Sequence, residues 1–394
     1  MGLKSCEILL DNNWGAYYVG QTVTGRVEFD LDSPKKVRGV SILFKGDAST
    51  SWFIEETHTS NEGKQESDRI EVSGYEEYFK IEYYLIGGQG DEVEIPVGHH
   101  SYPFTCVLPP TLPSSFEGEY GYIRYIIQIT FDRPWKFDQV TKKAFTVLSP
   151  LDLNSNPRLK EPAKLTLEKY FCCFCCKSGP LTCIVSIPRT GYVSGQLLPV
   201  VMEIDNISNI EITNVQLMLR KIVTYHTQTP RKEIRKDIKV ITEIKIGSIT
   251  PHGSNTYNQP ITIPPIPPSN LTNCNLFDLD YELYVELNIS GFHTNLTGKI
   301  PITIGTTPLA PTASAPTSIN KGDCVTPPNR DISSEGPALG WIHNGNIYPA
   351  LPTFAESQFG TSSIKEKGDN EYIMFSDNRQ EYSPMYPVYS YSNN

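Results

Sequence analysis

One pattern occurs twice in this chain at a constant spacing. Gly20-Gln21 matches Gly195-Gln196, Glu28 matches Glu203, Asp30 matches Asp205, Val40 matches Val215, Phe44 matches Leu219 and Lys45 matches Arg220. Each pair lies 175 positions apart, as 195 minus 20 shows. Tyr18-Val19 joins the series as the match of Tyr192-Val193 if Ser194 is an inserted residue. A second echo follows in the same order, with Leu108-Pro109-Pro110-Thr111-Leu112-Pro113-Ser114 answering Ile263-Pro264-Pro265-Ile266-Pro267-Pro268-Ser269. Both echoes precede an aromatic-centred stretch, around Tyr125 and Tyr281. A fixed offset held over this many positions predicts two copies of one structural unit.

The unit is made of strands. Val37–Phe44 and Tyr122–Ile129 alternate or run apolar over strand lengths and end at turn formers. No segment shows a long 3.6-residue period with caps, so the predicted fold class is all-β, built as sandwiches or barrels. The predicted boundaries are a first β-domain over 1–148, a linker over 149–163, a second β-domain over 164–305 and a tail over 306–394. The linker is placed where Pro150, Asn154, Asn156 and Pro157 cluster between strands. In the tail, apolar periodicity stops and Pro, Ser, Asn and Tyr dominate. Five basic residues face nine acidic ones there, a net of −4, so a disordered segment is expected.

The net charge of −10 argues against a nucleic-acid binder. No apolar run approaches ~18 residues, so no transmembrane segment is expected. The polar start of the chain holds no signal-peptide core. Nine cysteines, four of them crowded between Cys172 and Cys176, do not form a spaced disulfide framework and suggest a reducing, cytoplasmic setting. The Asn-x-Ser/Thr triplets at Asn206, Asn270, Asn288 and Asn295 then carry no glycans. Gly2 raises N-myristoylation, but Cys6 stands where that signal needs Ser or Thr.

Several residues show specific motifs of a known family. The stretch from His100-Ser101-Tyr102-Pro103-Phe104 through Leu112-Pro113-Ser114-Ser115-Phe116-Glu117-Gly118 resembles the arrestin N-terminal domain. So do Gly121-Tyr122-Ile123-Arg124-Tyr125 and Phe131-Asp132-Arg133-Pro134-Trp135, and the linker Pro150-Leu151-Asp152-Leu153-Asn154. Ser178-Gly179-Pro180 and Gly191-Tyr192-Val193-Ser194-Gly195-Gln196 resemble the start of an arrestin C-terminal domain. The flavour is that of the α-arrestins, the arrestin-domain-containing adaptors. The resemblance implies the arrestin fold, two antiparallel, immunoglobulin-like β-sandwiches, and a non-enzymatic trafficking adaptor without a cofactor. It implies membrane receptors or transporters as cargo, and recruitment to the plasma membrane and endosomes. Implied partners are clathrin-adaptor proteins, ESCRT-associated proteins and WW-domain ubiquitin ligases, reached directly or through another arrestin. A receptor-blocking signalling arrestin is the alternative within this class.

The tail departs from the α-arrestin pattern, because no Pro-Pro-x-Tyr is intact. Pro327-Pro328-Asn329-Arg330 lacks the Tyr, and Leu351-Pro352-Thr353-Phe354 is a degenerate version built on Pro352 and Phe354. Tyr348-Pro349-Ala350-Leu351 fits both the Tyr-Pro-x-Leu pattern bound by ALIX-type ESCRT adaptors and the Tyr-x-x-Φ pattern bound by clathrin-adaptor subunits. Tyr382-Ser383-Pro384-Met385 and Tyr372-Ile373-Met374-Phe375 fit Tyr-x-x-Φ as well. Such segments bind extended, with Tyr and the apolar residue filling two pockets. Ala313-Ser314-Ala315-Pro316 misses the leading Pro of the Pro-Ser/Thr-Ala-Pro signal.

Arg231, Lys232, Arg235, Lys236 and Lys239 make the densest basic stretch. On a strand they offer phosphate or anionic-lipid binding, or else form a solvated hairpin whose lysines discourage edge pairing. Cys172, Cys173, Cys175 and Cys176 are read as part of the first strand of the second sandwich, acting as small hydrophobes. S-acylation remains open there, and alternating faces disfavour one zinc. A thiol-redox protein using this cluster is the rival from another class. It lacks a Cys-x-x-Cys at the start of a helix in a βαβ unit. No nucleophile, phosphate-loop or metal motif points to an enzyme.

Overall fold

A computed structural model of the chain describes residues 2–59, 65–88, 90, 92–173, 176–177, 179–310, 342–343, 346–347, 351–366 and 368–390. The first sandwich contains β1 (Leu3–Leu10), β2 (Ala16–Tyr18), β3 (Thr22–Leu31), β4 (Lys35–Val37), β5 (Gly39–Thr59), β6 (Gln65–Gly87), β7 (Val93–Ile95), β8 (Gly98–Val107), β9 (Phe116–Gly118), β10 (Gly121–Asp132) and β11 (Gln139–Leu148). One layer has the order β1-β3-β8 and the other β2-β11-β10-β5-β6.

The second sandwich contains β12 (Ala163–Lys169), β13 (Cys172–Cys173), β14 (Cys176–Lys177), β15 (Leu181–Ile187), β16 (Gly191–Val193), β17 (Leu197–Asn206), β18 (Ile212–His226), β19 (Ile234–Ile249), β20 (Ser254–Thr262), β21 (Phe277–Ile289) and β22 (Leu296–Gly305). Its layers are β12-β15-β17-β20 and β16-β22-β21-β18-β19. Pairing is antiparallel throughout both sandwiches except where β2 joins β11 and β16 joins β22 in parallel. Alternation decides which face is buried: along β15, Leu181, Cys183, Val185 and Ile187 point inward and the residues between them do not. The all-β, two-sandwich expectation holds.

The repeat has a structural meaning, and it corrects two details of the sequence alignment. Ala16 pairs with Thr146 in the first sandwich as Gly191 pairs with Thr303 in the second, so Tyr17, not Tyr18, is the counterpart of Tyr192. The offset is therefore unbroken and Ser194 is no insertion. The Gln21 side chain accepts from Tyr18 N at 2.8 Å, and Gln196 repeats this with Val193 N at 3.0 Å. In the second echo, Tyr125 donates to Pro113 O at 2.6 Å and Tyr281 to Pro267 O at 2.7 Å. Ser115 (not Ser114) answers Ser269, since each hydroxyl accepts from the backbone of the last strand of its sandwich at 2.9 Å. The proline-rich segments thus tie one buried tyrosine and one strand end in each unit, which explains why they recur.

The cysteine cluster is also placed differently from the expectation. β12 already fills the first strand position, pairing Ala163–Lys169 with Leu181–Ile187. Cys172 and Cys173 lie opposite Lys177 and Cys176 in a short hairpin beyond that strand, so these three cysteines are not part of it, and Cys175 lies outside the described residues. The seven-residue alternation from Ala163 to Lys169 is the stronger strand signal.

One continuous apolar core runs through both sandwiches. At their junction Phe116 meets Phe277 edge-on at 5.4 Å and Tyr120 meets Tyr225 at 5.4 Å. Thr50 Oγ1 donates to His226 O at 2.7 Å, and Glu119 N donates to Tyr225 OH at 3.1 Å.

Candidate functional site

The second half of the tail lies on the sandwiches rather than away from them. Strand β11 has β10 on one side. Its other edge is shared: Ala16–Tyr18 covers residues 146–148, and the tail strand Ile373–Phe375 covers Val140–Lys142 in parallel. Thr353–Glu356 pairs with Met385–Val388, and Ser362 with Tyr382, so the tail forms two short two-stranded ladders of its own. An open strand edge is a ready acceptor for an extended segment. A Pro-, Ser-, Asn- and Tyr-rich tail without its own core packs here against the sandwiches.

Three clusters fasten it. First, Lys142 Nζ, on a side chain only 3% exposed, donates to Glu366 Oε2 at 2.6 Å and Asp369 Oδ1 at 2.7 Å. Burial alone would raise the Glu366 carboxyl, but the Lys142 hydrogen bond and charge outweigh it and hold it below the ordinary glutamate value. Second, Arg124 makes a bidentate pair with Glu117, both bonds at 2.8 Å, and Arg124 Nη2 also reaches Ser362 Oγ at 2.7 Å. Burial pushes the Glu117 carboxyl up, while Arg124 and Ser362 pull it back. Third come the tyrosines. Tyr382 donates to Phe145 O at 3.0 Å, Tyr386 to Ser115 O at 2.9 Å and Tyr389 to Thr306 O at 2.7 Å. Tyr386 and Tyr389 are buried. Lys221 Nζ, from the second sandwich, donates to Phe359 O at 3.2 Å, so the tail touches both units.

These placements sort the tail motifs. Tyr382-Ser383-Pro384-Met385 is engaged within the molecule, with Met385 N bonded to Thr146 Oγ1 at 3.0 Å. Tyr372-Ile373-Met374-Phe375 supplies the strand on β11. Phe354 of the degenerate WW-type motif lies 6.2 Å from the Trp14 ring, beside a half-buried Pro352. Tyr348, Pro349 and Ala350 lie outside the described residues, and Leu351 is 73% exposed. Sequence reasoning missed Arg124, Glu117, Lys142, Glu366 and Asp369 as partners across the tail. The available signal was the run Met385-Tyr386-Pro387-Val388-Tyr389, aromatic and β-branched enough to read as a strand.

The basic stretch is largely committed. Arg231 pairs with Glu56 of the first sandwich at 2.9 Å and with Glu233 at 2.8 Å. Arg235 stacks over the Tyr120 ring at 3.9 Å, and Lys239 lies 3.4 Å from Glu119. These three belong to the junction between the sandwiches. Lys232 and Lys236 face solvent, Lys236 on the same side of β19 as the exposed Ile234 and Ile238. Four thiols outside the cluster are held protonated. Burial pushes Cys6, Cys106 and Cys274 up to about 11 and Cys183 up to about 12, the reverse of what a reactive thiolate needs. Among the described residues, no group of His, Cys, Asp and Glu could hold a metal ion, and no helix is long and apolar enough to cross a membrane.

The two duplicated sandwiches and their junction define an arrestin-fold protein. Comparison with known families agrees: residues 6–154 match the arrestin (or S-antigen) N-terminal domain and residues 177–309 the arrestin (or S-antigen) C-terminal domain. The chain is 31% identical to arrestin domain-containing protein 17 of Caenorhabditis elegans, over 98% of this chain and 99% of that protein. It is 31% identical to mouse arrestin domain-containing protein 4, covering 76% of this chain and 70% of the relative. Rat arrestin domain-containing protein 1 is 28% identical over 77% of this chain and 66% of its own length. The chain belongs to the α-arrestin, or arrestin domain-containing, family of adaptors.

Proposed function

We propose that this chain is a non-enzymatic trafficking adaptor that links membrane-protein cargo to endocytic, ESCRT or ubiquitin-ligase machinery. In this reading the sandwiches recognise the cargo and the tail recruits the sorting partner. The observation that supports it most is the unequal state of the tail motifs. The Tyr382 motif is held against β11, whereas Leu351, the apolar anchor of Tyr348-Pro349-Ala350-Leu351, is exposed ahead of the docked stretch. An extended Tyr-x-x-Leu signal binds only when both anchors are free to enter pockets. Peripheral recruitment to plasma membrane and endosomes belongs to the same reading, as do WW-domain ligases reached directly or through a second arrestin.

The test is affinity purification of the full chain and of Tyr348→Ala. Sorting or ubiquitin-ligase components are expected with the intact chain, with the Tyr348-dependent subset lost from the variant. If neither class copurifies with the intact chain, the adaptor reading fails and receptor blocking is left.

A further inference from the structure

The far end of the first sandwich carries an aromatic tip that the adaptor reading does not use. The turn between β10 and β11 is Arg133-Pro134-Trp135-Lys136-Phe137-Asp138. Trp135 is 100% exposed and Phe137 69% exposed. Trp135 also sits in the left-handed region, at φ +61, a strained setting for a bulky residue. The turn is nevertheless well tied: Arg133 N donates to Asp138 Oδ1 at 3.1 Å and Arg133 Nε to Phe137 O at 2.7 Å. Tyr372 of the docked tail stacks on Phe137 at 5.7 Å, with the Arg133 guanidinium 5.7 Å from the Tyr372 ring. An ordered turn is thus holding a large apolar side chain out into solvent.

Beside the tip lies a cleft of about 1010 Å³, lined by Lys35, Lys36, Arg133 and Lys136 together with Glu92, Glu94 and Glu371. Lys35 is only 7% exposed. Its amine donates to the neutral Gln139 Oε1 and lies 5.6 Å from the Phe131 ring centre. Among the described residues no carboxylate lies within ion-pair distance of it. Burial, joined by the charges of Arg133 and Lys136 and opposed by Asp32, lowers the Lys35 amine to about 8. A buried amine pressed by two neighbouring cations is stabilised by an anion arriving from outside.

We infer that this end of the molecule is a membrane-contact surface. Trp135 and Phe137 enter the interfacial zone of an anionic bilayer, while Lys35, Lys36, Arg133 and Lys136 meet lipid phosphates. The inference deepens the adaptor reading, which requires a membrane surface but does not say which face meets it. Three observations favour a bilayer over a peptide. Trp135 borders the cleft, but it is 100% exposed and projects free, as a side chain that enters a bilayer must and one that receives a peptide inside a pocket does not. Trp is the side chain best suited to the headgroup level, and basic clusters beside it add attraction to anionic lipids. On a chain of net charge −10, a local group of cations also selects one orientation toward a negative surface. The equivalent turn of the second sandwich provides a contrast within the molecule. Phe292 there is equally exposed, but that turn, Ser290-Gly291-Phe292-His293-Thr294-Asn295, holds no Lys or Arg and no Trp.

Cosedimentation of the full chain with vesicles tests this. Phosphatidylcholine vesicles mixed with phosphatidylserine are expected to bind it, and phosphatidylcholine alone is expected not to. Each basic side chain near such a surface contributes about fivefold in affinity, so Lys36→Ala/Lys136→Ala is expected to weaken binding about 25-fold. Trp135→Ser/Phe137→Ser is expected to weaken it about tenfold or more, since two aromatic contacts are lost. Brominated lipid is expected to quench tryptophan emission in the wild type and to lose that effect in Trp135→Phe. All substituted positions are exposed, and unchanged thermal melting confirms that each variant is folded. Equal binding to phosphatidylcholine alone, no binding to the mixed vesicles, or loss through Phe292→Ser instead of Trp135→Ser/Phe137→Ser overturns the proposal. Charge dependence without Trp135 quenching overturns insertion. The assay contains only lipid and this chain, so its failure leaves the copurification test standing, and the reverse also holds.

Discussion

Two buried charges show how single residues set conditions on this fold. Arg124 and Glu117 have side chains 3% and 1% exposed, and their bidentate geometry leaves little of either unpaired. Removing one partner strands the other, which costs about 3–5 kcal/mol for a buried pair. Arg124→Ala is therefore expected to lose about that much stability in urea denaturation. Arg124→Ala/Glu117→Ala is expected to lose clearly less than the sum of the single variants, because no orphan charge remains; strict additivity sinks this account. Lys221 behaves differently, because its amine meets a neutral carbonyl, Phe359 O, and the Phe116 ring rather than a bonded carboxylate. It is 2% exposed, and burial is the main reason its amine falls to about 8, with Lys239 adding to the fall and Asp237 opposing it. A folded value below the unfolded value of about 10.4 means the unfolded chain binds more protons between those limits, so stability rises as pH goes from about 8 to about 10. Lys221→Met is expected to flatten that rise. Denaturation midpoints with the same pH slope in variant and wild type show that Lys221 is not its source.

Among the elements, the docked tail is the least legible from sequence and the most consequential for the candidate site. Strands β10 and β15 announce themselves by apolar runs or strict alternation, and the duplication announces itself by a constant offset. Position Cys172–Cys176 was misplaced because a chemically conspicuous run outweighed the quieter alternation of Ala163–Lys169 before it. The tail escaped because its partners come from elsewhere: Lys142, Arg124 and Tyr382 have ordinary neighbours in sequence, and only the folded chain places them together. Yet one glycine pair carries a trace of the difference. Gly20 and Gly195 occupy equivalent turns with φ of +79 and +90, but a Cβ on Gly20 would meet nothing within 4 Å. On Gly195 it would lie 2.1 Å from Tyr389 O. Gly20→Ala and Gly195→Ala should therefore share a backbone penalty of about 1–2 kcal/mol. Only Gly195→Ala is expected to release the end of the tail as well, read as faster hydrogen exchange at Tyr386 and Tyr389. Equal exchange in the two variants removes the close approach as the explanation.

At the scale of the whole molecule, two sandwiches of like design share one apolar core at a direct junction, and a tail crosses that junction. The direct contacts include Phe116 with Phe277, Tyr120 with Tyr225, a backbone bridge between Ser73 and Thr229, and the Arg231–Glu56 pair near the edge. The Arg231–Glu56 pair is exposed on both sides and contributes little. The tail adds anchors on both units. Tyr382 and Tyr386 bond to Phe145 O and Ser115 O in the first. Tyr389 and Phe359 meet Thr306 O and the Lys221 amine in the second. A strap fixed to two bodies couples their unfolding, because opening either one also frees the strap from the other. The full chain is accordingly expected to melt in one calorimetric transition, whereas a chain ending at residue 350 is expected to melt in two. A peptide spanning 351–394, added in excess, should draw the two transitions together again, in proportion to its occupancy. A single transition in the truncated chain assigns the coupling to the direct junction alone, leaving the tail as a cover for the β11 edge.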